Sequence, residues 1–375
     1  MSDQQTKASI AKWVSHKLRS DIERRVQRIA SAYDVAQVAV MPDIHIAGDV
    51  CNGIVIASEN RIYPQAVGGD IGCGYLAVAL ESPIAVIDQS LAARLFDGLY
   101  RAVPLNKHAS RREYVSDVEL SNSVLRKASL RDGAVQLGTL GRGNHFVELQ
   151  QSLSGQFWLL IHSGSRAIGQ AISNFHLRKA GVDSNSGLKF VDSGSIAGHE
   201  LLIDFKWARN YAAANRESIL KQIRCGVLDR LGFEVDDRSL IHLDHNHVQN
   251  ETDGGKSLWV HRKGAQRLLP GQKSVIPGSM ATKSYLVQGR GCRSALNSCS
   301  HGAGRNLSRT EARKRLSPRR LRREMSHVWF DQRKLFRLVD ESPSAYKDIR
   351  KVMKAQKELV KIVDTLEPVL SFKGN

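Results

Sequence analysis

Six short peptides, each setting side chains able to bind metal or phosphate beside turn-forming residues, recur along the chain and constrain its fold more than any other feature. They are "MPDIHIAGD" with Asp43, His45 and Asp49; "GGDIGCG" with Asp70 and Cys73; "GRGNHFVE" with Asn144, His145 and Glu148; "IHSGSRAIG" with His162, Ser163 and Arg166; "HLDHNHVQNE" with three histidines; and "CSHGAGR" with His301 and Arg305. In the second of these, Gly68, Gly69, Gly72 and Gly74 surround Asp70 and Cys73. A packed strand does not need so many glycines, because each lacks a side chain to bury and costs backbone entropy, so something is expected to approach this backbone closely. Between the peptides lie short apolar or alternating runs, "VAQVAVMPD", "GIVIAS", "YLAVAL", "AVQLGTL", "HFVEL", "FWLLIHSGS", "SLIHLDHNHV", "SLWVHR" and "SYLVQG", which read as strands closed by turns.

Helical spacing appears at three places. "IAKWVSHKLRSDIERRVQRIASAY" repeats Ile10, Val14, Leu18, Ile22, Val26 and Ile29 and predicts an opening amphipathic helix. "AGHELLIDFKWARNYAAANRESILKQI" predicts a second, and the C-terminal third reads as helical and basic. It closes on "SAYKDIRKVMKAQKELVKIVDTL", where Ile349, Val352, Met353, Leu359 and Val363 form one apolar stripe with lysines opposite. The mixture lacks regular βαβ alternation, internal repeats and a linker, so it predicts one compact α+β domain over residues 1–375, with central β-sheets and peripheral helices.

The chain carries 55 Lys and Arg against 37 Asp and Glu, a net charge of +18 that suits a polyanion, nucleic acid first and acidic membrane second. A basic tail or a solubility device is the plainer reading of the same surplus. "RTEARKRLSPRRLRREMSH" packs eight cations into nineteen residues, either as a solvated helical face or as a phosphate-binding surface. "MSDQQTKASIAKWVSHKL" is polar and helical in pattern rather than a leader, and no run of eighteen uncharged apolar residues occurs, so a soluble, cytoplasmic protein without a membrane span is expected. Five cysteines, an odd number thinly spread, argue for reduced thiols, one of them a ligand.

A single histidine is ordinarily a hydrogen-bonded structural residue, but histidine, carboxylate and thiolate together are the ligands of borderline divalent metals such as zinc, manganese or cobalt. A zinc finger is excluded by the absence of a paired C-x-x-C and by candidates dispersed from residue 70 to residue 245. His301 suits a different role, that of nucleophile: "GAGR" lets backbone amides approach phosphate, and Arg305 supplies a charge-assisted fork. A plain glycine turn is the alternative there.

Nine peptides in order, "VMPDIHIAG", "GGDIGCG", "GTLGRGNHFVE", "HSGSR", "HNHV", "PGSMATKSYLV", "SHGAGR", "SAYKDI" and "SFKG", resemble the RtcB family of RNA ligases over nearly the whole chain. The resemblance implies an RtcB-like domain with a dinuclear metal cleft, GTP as cosubstrate and two Mn2+ per active site. It implies joining of RNA 3'-phosphate or 2',3'-cyclic phosphate ends to 5'-hydroxyl ends through a histidine-GMP intermediate and an RNA-pp-G end. By the same resemblance His301 is the nucleophile, and Asp70, Cys73, His145, His162 and His245 hold metal, with Cys73 bridging both ions. Nucleotide contacts are implied for Asn144, Glu148, Asn246, Ser279, Ser284, His301, Gly302, Gly304, Arg305 and Lys373, and an RNA contact for Arg166. The implied partners are broken tRNA or rRNA and an archease-like activator. The chain is short for that family, which points to a specialised paralogue, and Arg142, Asp244 and His247 depart from its common pattern. Two other classes stand beside the ligase: a dinuclear metal-dependent phosphoesterase, which the ligand cluster alone supports, and a non-catalytic RNA-binding protein, which the charge alone supports.

Overall fold

A computed structural model describes residues 8–82 and 84–374; residues 1–7 of the polar N-terminal stretch lie outside the described residues. Two β-sheets organise it. The first has five strands in the order Ser9–Lys12, Val35–His45, Asn52–Ser58, Lys256–Lys263 and Asn246–Asp253, with only the first pair parallel. Its alternation is strict where it matters: Val38, Val40, Ile54 and Ile56 pack against Ile22, Val26 and Ile29 of the helix Ser20–Ala30. Ala39, Met41, Val55 and Ala57 point to the opposite face.

The second sheet has eight strands, seven of them in the order Glu234–Asp244, Gly74–Glu81, Phe157–Ser163, Phe146–Ser152, Val360–Lys373, Ser284–Gly289 and Lys273–Ile276. The short strand Trp329–Phe330 adds in parallel to Val360–Lys373. On one face Leu76, Val78, Leu80, Leu159 and Ile161 meet Leu91, Leu95 and Leu99 of the helix Gln89–Ala102 and Ile219 and Ile223 of the helix Ile196–Ile223. Each such side chain, fully buried, contributes about 1.5–3 kcal/mol of apolar transfer free energy. On the other face Tyr75, Ala77, Phe146, Leu160, Ile241 and Leu366 form a second cluster. Burial of both faces explains why "YLAVAL" reads as a continuous apolar run rather than an alternating one.

Four expectations are corrected. Residues 10–29 are not one helix: Ser9–Lys12 is a strand, Ile10 pairs with Val38, and the helix begins at Ser20, with Asp21 and Glu23 in its first turn. The closing stripe is also split. Ile349, Val352, Met353 and Leu359 do share one core cluster, but the helix stops at Ala355 and Val360–Lys373 is a strand, leaving Val363 exposed. The β-branched Val360, Ile362, Val363 and Thr365 suit that strand, and both its edges find partners in Phe146–Ser152 and Ser284–Gly289. "AVQLGTL" forms one helical turn, Ala134–Gln136, in place of a strand. Finally, the long helix Ile196–Ile223 is not peripheral, because Asn215 and Arg216 are buried on it and bind the backbone of the site-bearing loops. All five cysteines are unpaired, and no helix among the described residues is long and apolar enough to cross a membrane.

Candidate active site

The loop before strand Gly74–Glu81 is wedged between the long helix and strand Glu234–Asp244. A Cβ on Gly72 would lie 2.8 Å from the Cα of Arg209, and one on Gly74 would lie 2.2 Å from the carbonyl oxygen of Leu243. Gly72 also adopts a φ of +74°, a region that L side chains rarely occupy. The close approach expected from the glycines is therefore protein backbone on two sides. It turns the chain so that the Cys73 amide bonds the Asp70 carbonyl at 3.1 Å, while the Cys73 carbonyl accepts from the His245 amide at 2.8 Å.

Two groups of ligand-capable atoms result, and they share Cys73. In the first, Asp70, Cys73 and His145 bring their atoms within 4.8 Å of one another; in the second, Cys73, His162 and His245 do the same. His145 precedes strand Phe146–Ser152, His162 is the last residue but one of strand Phe157–Ser163, and His245 sits between two strands, so the sheet gathers candidate ligands far apart in sequence. The contacts are short: Cys73 Sγ lies 3.5 Å from His145 Nε2 and 3.2 Å from His162 Nε2, and Asp70 Oδ2 lies 3.0 Å from His145 Nε2.

Each imidazole has its other nitrogen on an oxygen: His145 Nδ1 on Leu140 O at 3.0 Å, His162 Nδ1 on Asn144 O at 3.0 Å, and His245 Nδ1 on Asn246 Oδ1 at 3.2 Å. For His162 and His245 the oxygen acceptor puts the proton on Nδ1 and leaves the Nε2 lone pair for a ligand, whereas His145 Nε2 faces the Asp70 carboxylate. His162 Nε2 and His245 Nε2 then face each other at 3.1 Å, two acceptors with no proton between them. Burial, with neighbouring histidines adding to it, holds both well below the ordinary imidazole range. Burial likewise pushes the Cys73 thiol well above its usual value, with the Asp70 charge adding to it, and a bound cation would favour the thiolate. For Asp70, burial acts upward but the hydrogen bond and charge of His145, with Arg166, outweigh it and hold the carboxyl at about 2. This donor set fits divalent cations, since a cation satisfies the facing lone pairs, the thiolate and the carboxylate together.

Beside the ligand groups opens a cavity of about 470 Å3, within the usual range of small-molecule sites. Among the predicted residues, Asn144, Glu148, His162, Ser279, His301, Gly302, Gly304, Arg305 and Lys373 line it. The His301 ring lies 4.7 Å from that of His245. Asp43 Oδ2 accepts from His301 Nδ1 at 2.6 Å and from its backbone amide at 3.2 Å, while Nε2 makes no hydrogen bond to another described residue. Glu148 accepts from Ser371 Oγ at 2.8 Å and Gln150 Nε2 at 2.7 Å; its burial raises the carboxyl, and the Lys373 charge opposes that.

Asn246, Ser284 and Arg166 are placed elsewhere. Asn246 braces the ligand loop through the Asp70 carbonyl at 3.1 Å and the Gly264 amide at 2.8 Å. Ser284 is buried and accepts from the Gly278 amide at 3.3 Å. Arg166 donates to Thr139 Oγ1 at 3.2 Å and to Leu105 O at 3.3 Å. The departures Asp244 and His247 pair at 2.7 Å behind His245, with Arg209 donating to Asp244 at 2.7 Å.

Sequence reasoning missed Glu341. Fully buried, it gathers Lys373 Nζ at 2.8 Å, Arg309 at 2.7 Å, Arg305 at 3.1 Å and the Tyr346 hydroxyl at 2.6 Å. Burial alone would raise it, but Lys373, Arg309 and Arg305 bring it down to about 2. No glycine or histidine marks "DES" in the sequence, so it carried no local signal. Asp43 was visible in "MPDIH", but its pairing with His301 spans 258 residues.

The family described as "tRNA-splicing ligase RtcB" matches residues 25–130 and 119–374. The chain is 34% identical to "RNA-splicing ligase RtcB1" of Escherichia coli ATCC 25922, with 90% of each chain covered. It is 33% identical to "RNA-splicing ligase RtcB" of Escherichia coli K12, again with 90% of each covered. It is 28% identical to "tRNA-splicing ligase RtcB" of Thermococcus kodakarensis, covering 89% of this chain and 87% of that one. A metal-ready cluster beside a histidine-lined cavity, on a chain that matches this family from residue 25 to residue 374, thus places the protein in the RtcB family of RNA ligases.

Proposed function

We propose that the protein is a cytoplasmic, GTP- and Mn2+-dependent ligase that joins RNA 3'-phosphate or 2',3'-cyclic phosphate ends to 5'-hydroxyl ends. One observation carries this reading: His301 is clamped through Nδ1 on Asp43, its Nε2 has no hydrogen-bond partner among the described residues, and its ring lies 4.7 Å from the candidate ligand His245. Two Mn2+ ions, held by Asp70, Cys73 and His145 and by Cys73, His162 and His245, would draw charge from the phosphates of bound GTP.

His301 Nε2 attacks the α-phosphorus of GTP and pyrophosphate leaves, while Asp43 keeps the proton on Nδ1 and favours the developing positive charge on the ring. The guanylyl group then passes from His301 to an oxygen of the RNA 3'-phosphate, restoring the neutral imidazole. Attack by the 5'-hydroxyl closes the phosphodiester and releases GMP. A cyclic phosphate is opened to the 3'-phosphate by water beforehand. Glu148, reaching the cavity as an acceptor, suits the N1 and N2 donors of guanine, and Lys373 suits the nucleotide's negative charge. Asn144, Ser279, Arg305 and the Gly302–Gly304 turn are the further nucleotide contacts in this reading; Asn246 braces the ligand loop and Ser284 the Gly278 turn. An archease-like protein is the candidate activator.

A phosphoesterase would use the ligand cluster but leave the Asp43–His301 pair without a role. The deciding experiment is incubation with Mn2+ and α-labelled GTP. An acid-labile label absent from His301→Ala supports the ligase, and its absence from the unaltered protein overturns it.

A further inference from the structure

The arginine-rich segment takes no part in the chemistry above. It folds as two short helices, Arg309–Arg315 and Pro318–Glu324, capped by Ser308 and Ser317. Ala312, Leu316, Leu321 and Met325 are buried beneath them, which leaves most of the cations outside. Four of those cations are neutralised: Arg309 by Asp340 and Glu341, Arg313 by Asp340, Arg315 by Glu311 at 3.9 Å and Arg320 by Glu324 at 2.8 Å. Lys314, Arg319, Arg322 and Arg323 are exposed, and no ion pair joins them to a carboxylate among the described residues. Arg319, Arg322 and Arg323 stand at i, i+3 and i+4 on one face of the second helix, with Lys314 on the helix before it, and like charges so spaced suit a polyanion.

Its position says which one. Arg309, at the start of the first helix, lines the catalytic cavity; Glu324, at the end of the second, lines a neighbouring cavity of about 610 Å3; Tyr346 lines both. The helix pair therefore begins in the wall of the His301 cavity and leads away from it. No large apolar side chain is exposed on either helix, so nothing there would insert into a lipid surface. Three of the four unpaired cations are arginines, whose planar fork matches phosphate oxygens.

We propose that this helix pair grips the backbone of single-stranded RNA as it leaves the cavity, with Lys314, Arg319, Arg322 and Arg323 as the phosphate contacts. The proposal rests on the ligase reading for the choice of RNA as the occupant.

The test compares the full-length protein with the triple variants Arg319→Ala/Arg322→Ala/Arg323→Ala and Arg319→Lys/Arg322→Lys/Arg323→Lys. Binding of a labelled, 3'-phosphorylated oligoribonucleotide is followed by anisotropy over a range of salt, and labelling of His301 by GTP is followed separately. Loss of three phosphate contacts should lower the slope of log affinity on log salt by about 2, so that between about 50 and about 200 mM the unaltered protein loses about twentyfold more affinity than the alanine variant. The lysine variant should keep the slope, and both variants should label His301 at the ordinary rate. An unchanged slope in the alanine variant overturns the proposal. So does unchanged RNA affinity combined with weaker binding of poly-glutamate or of phosphatidylserine vesicles, which would give the surface to an acidic protein or a membrane. Failure of the unaltered protein to label His301, with the slope still reduced in the alanine variant, removes the ligase reading and leaves the RNA-binding surface standing.

Discussion

Asp43 has one carboxylate oxygen on both the ring and the backbone amide of His301, and its other oxygen is buried without a hydrogen-bond partner among the described residues. That arrangement fixes which ring nitrogen is free, so on the proposed function Asp43→Asn should preserve the shape of the site while removing the charge that favours His301 as nucleophile. The labelling rate of His301 by GTP is expected to fall about 10²- to 10⁴-fold, with GTP affinity little changed; a rate within twofold of the unaltered protein would make Asp43 merely structural. Cys73 poses a second residue-scale question, because it belongs to both ligand groups whereas His145 and His245 belong to one each. Cys73→Ala should abolish RNA joining and empty both positions in Mn2+ equilibrium dialysis. His245→Ala should leave one ion per chain, and equal loss in the two variants would refute a shared thiolate. Residues of this kind were legible where glycines framed them, as in "GGDIGCG". Glu341 was not, because its role arises from three cations that arrive from residues 305, 309 and 373 only in the folded chain.

At the scale of elements, the strand Val360–Lys373 does two jobs that a terminal helix could not. It fills the gap between strands Phe146–Ser152 and Ser284–Gly289, and it delivers Lys373 to Glu341 inside the cavity wall. Its apolar spacing through Leu359 did locate buried residues, but spacing cannot tell that strand partners await the next fourteen residues. The same limit applies at Ser9–Lys12, whose pairing with Val35–His45 supplies hydrogen bonds that helical periodicity ignores. The Glu341 cluster tests how strongly the element is tied down. The carboxyl titrates at about 2 in the fold against an ordinary 4.5, so it binds its proton less readily folded than unfolded. Its stabilisation is therefore complete above about 4.5 and is lost as pH falls from there toward about 2. Glu341→Gln should lower stability at neutral pH by on the order of 3 kcal/mol and flatten the acid limb of a denaturation series. An acid limb as steep as that of the unaltered protein would mean that other carboxylates dominate.

Over the whole molecule, strand-end loops from distant parts of the chain converge on one cluster, and the sheet that gathers them is assembled from strands scattered between residues 74 and 373. The α+β texture and the ligand types were readable in the sequence, because period-two runs and glycine-flanked histidines are local signals. The order of the strands and the burial of the long helix were not, because they depend on pairings hundreds of residues apart. This architecture makes a thermodynamic demand on the metal. His162 and His245 present facing lone pairs at 3.1 Å, and Cys73 is held in surroundings that disfavour its thiolate, so the fold carries an electrostatic conflict that a cation relieves. Relief occurs only in the folded chain, where the five candidate ligands from residues 70 to 245 meet; on the proposed function Mn2+ should therefore stabilise the fold by mass action. At a hundredfold excess over the dissociation constant each site contributes about 2.7 kcal/mol, which for a chain of this length raises Tm by a few degrees. Thermal melts of EDTA-treated protein with and without added Mn2+ should show that rise, and His162→Ala should melt higher than the unaltered protein without metal while gaining little from it. Equal melting temperatures with and without Mn2+ would show that the cluster is satisfied without a cation.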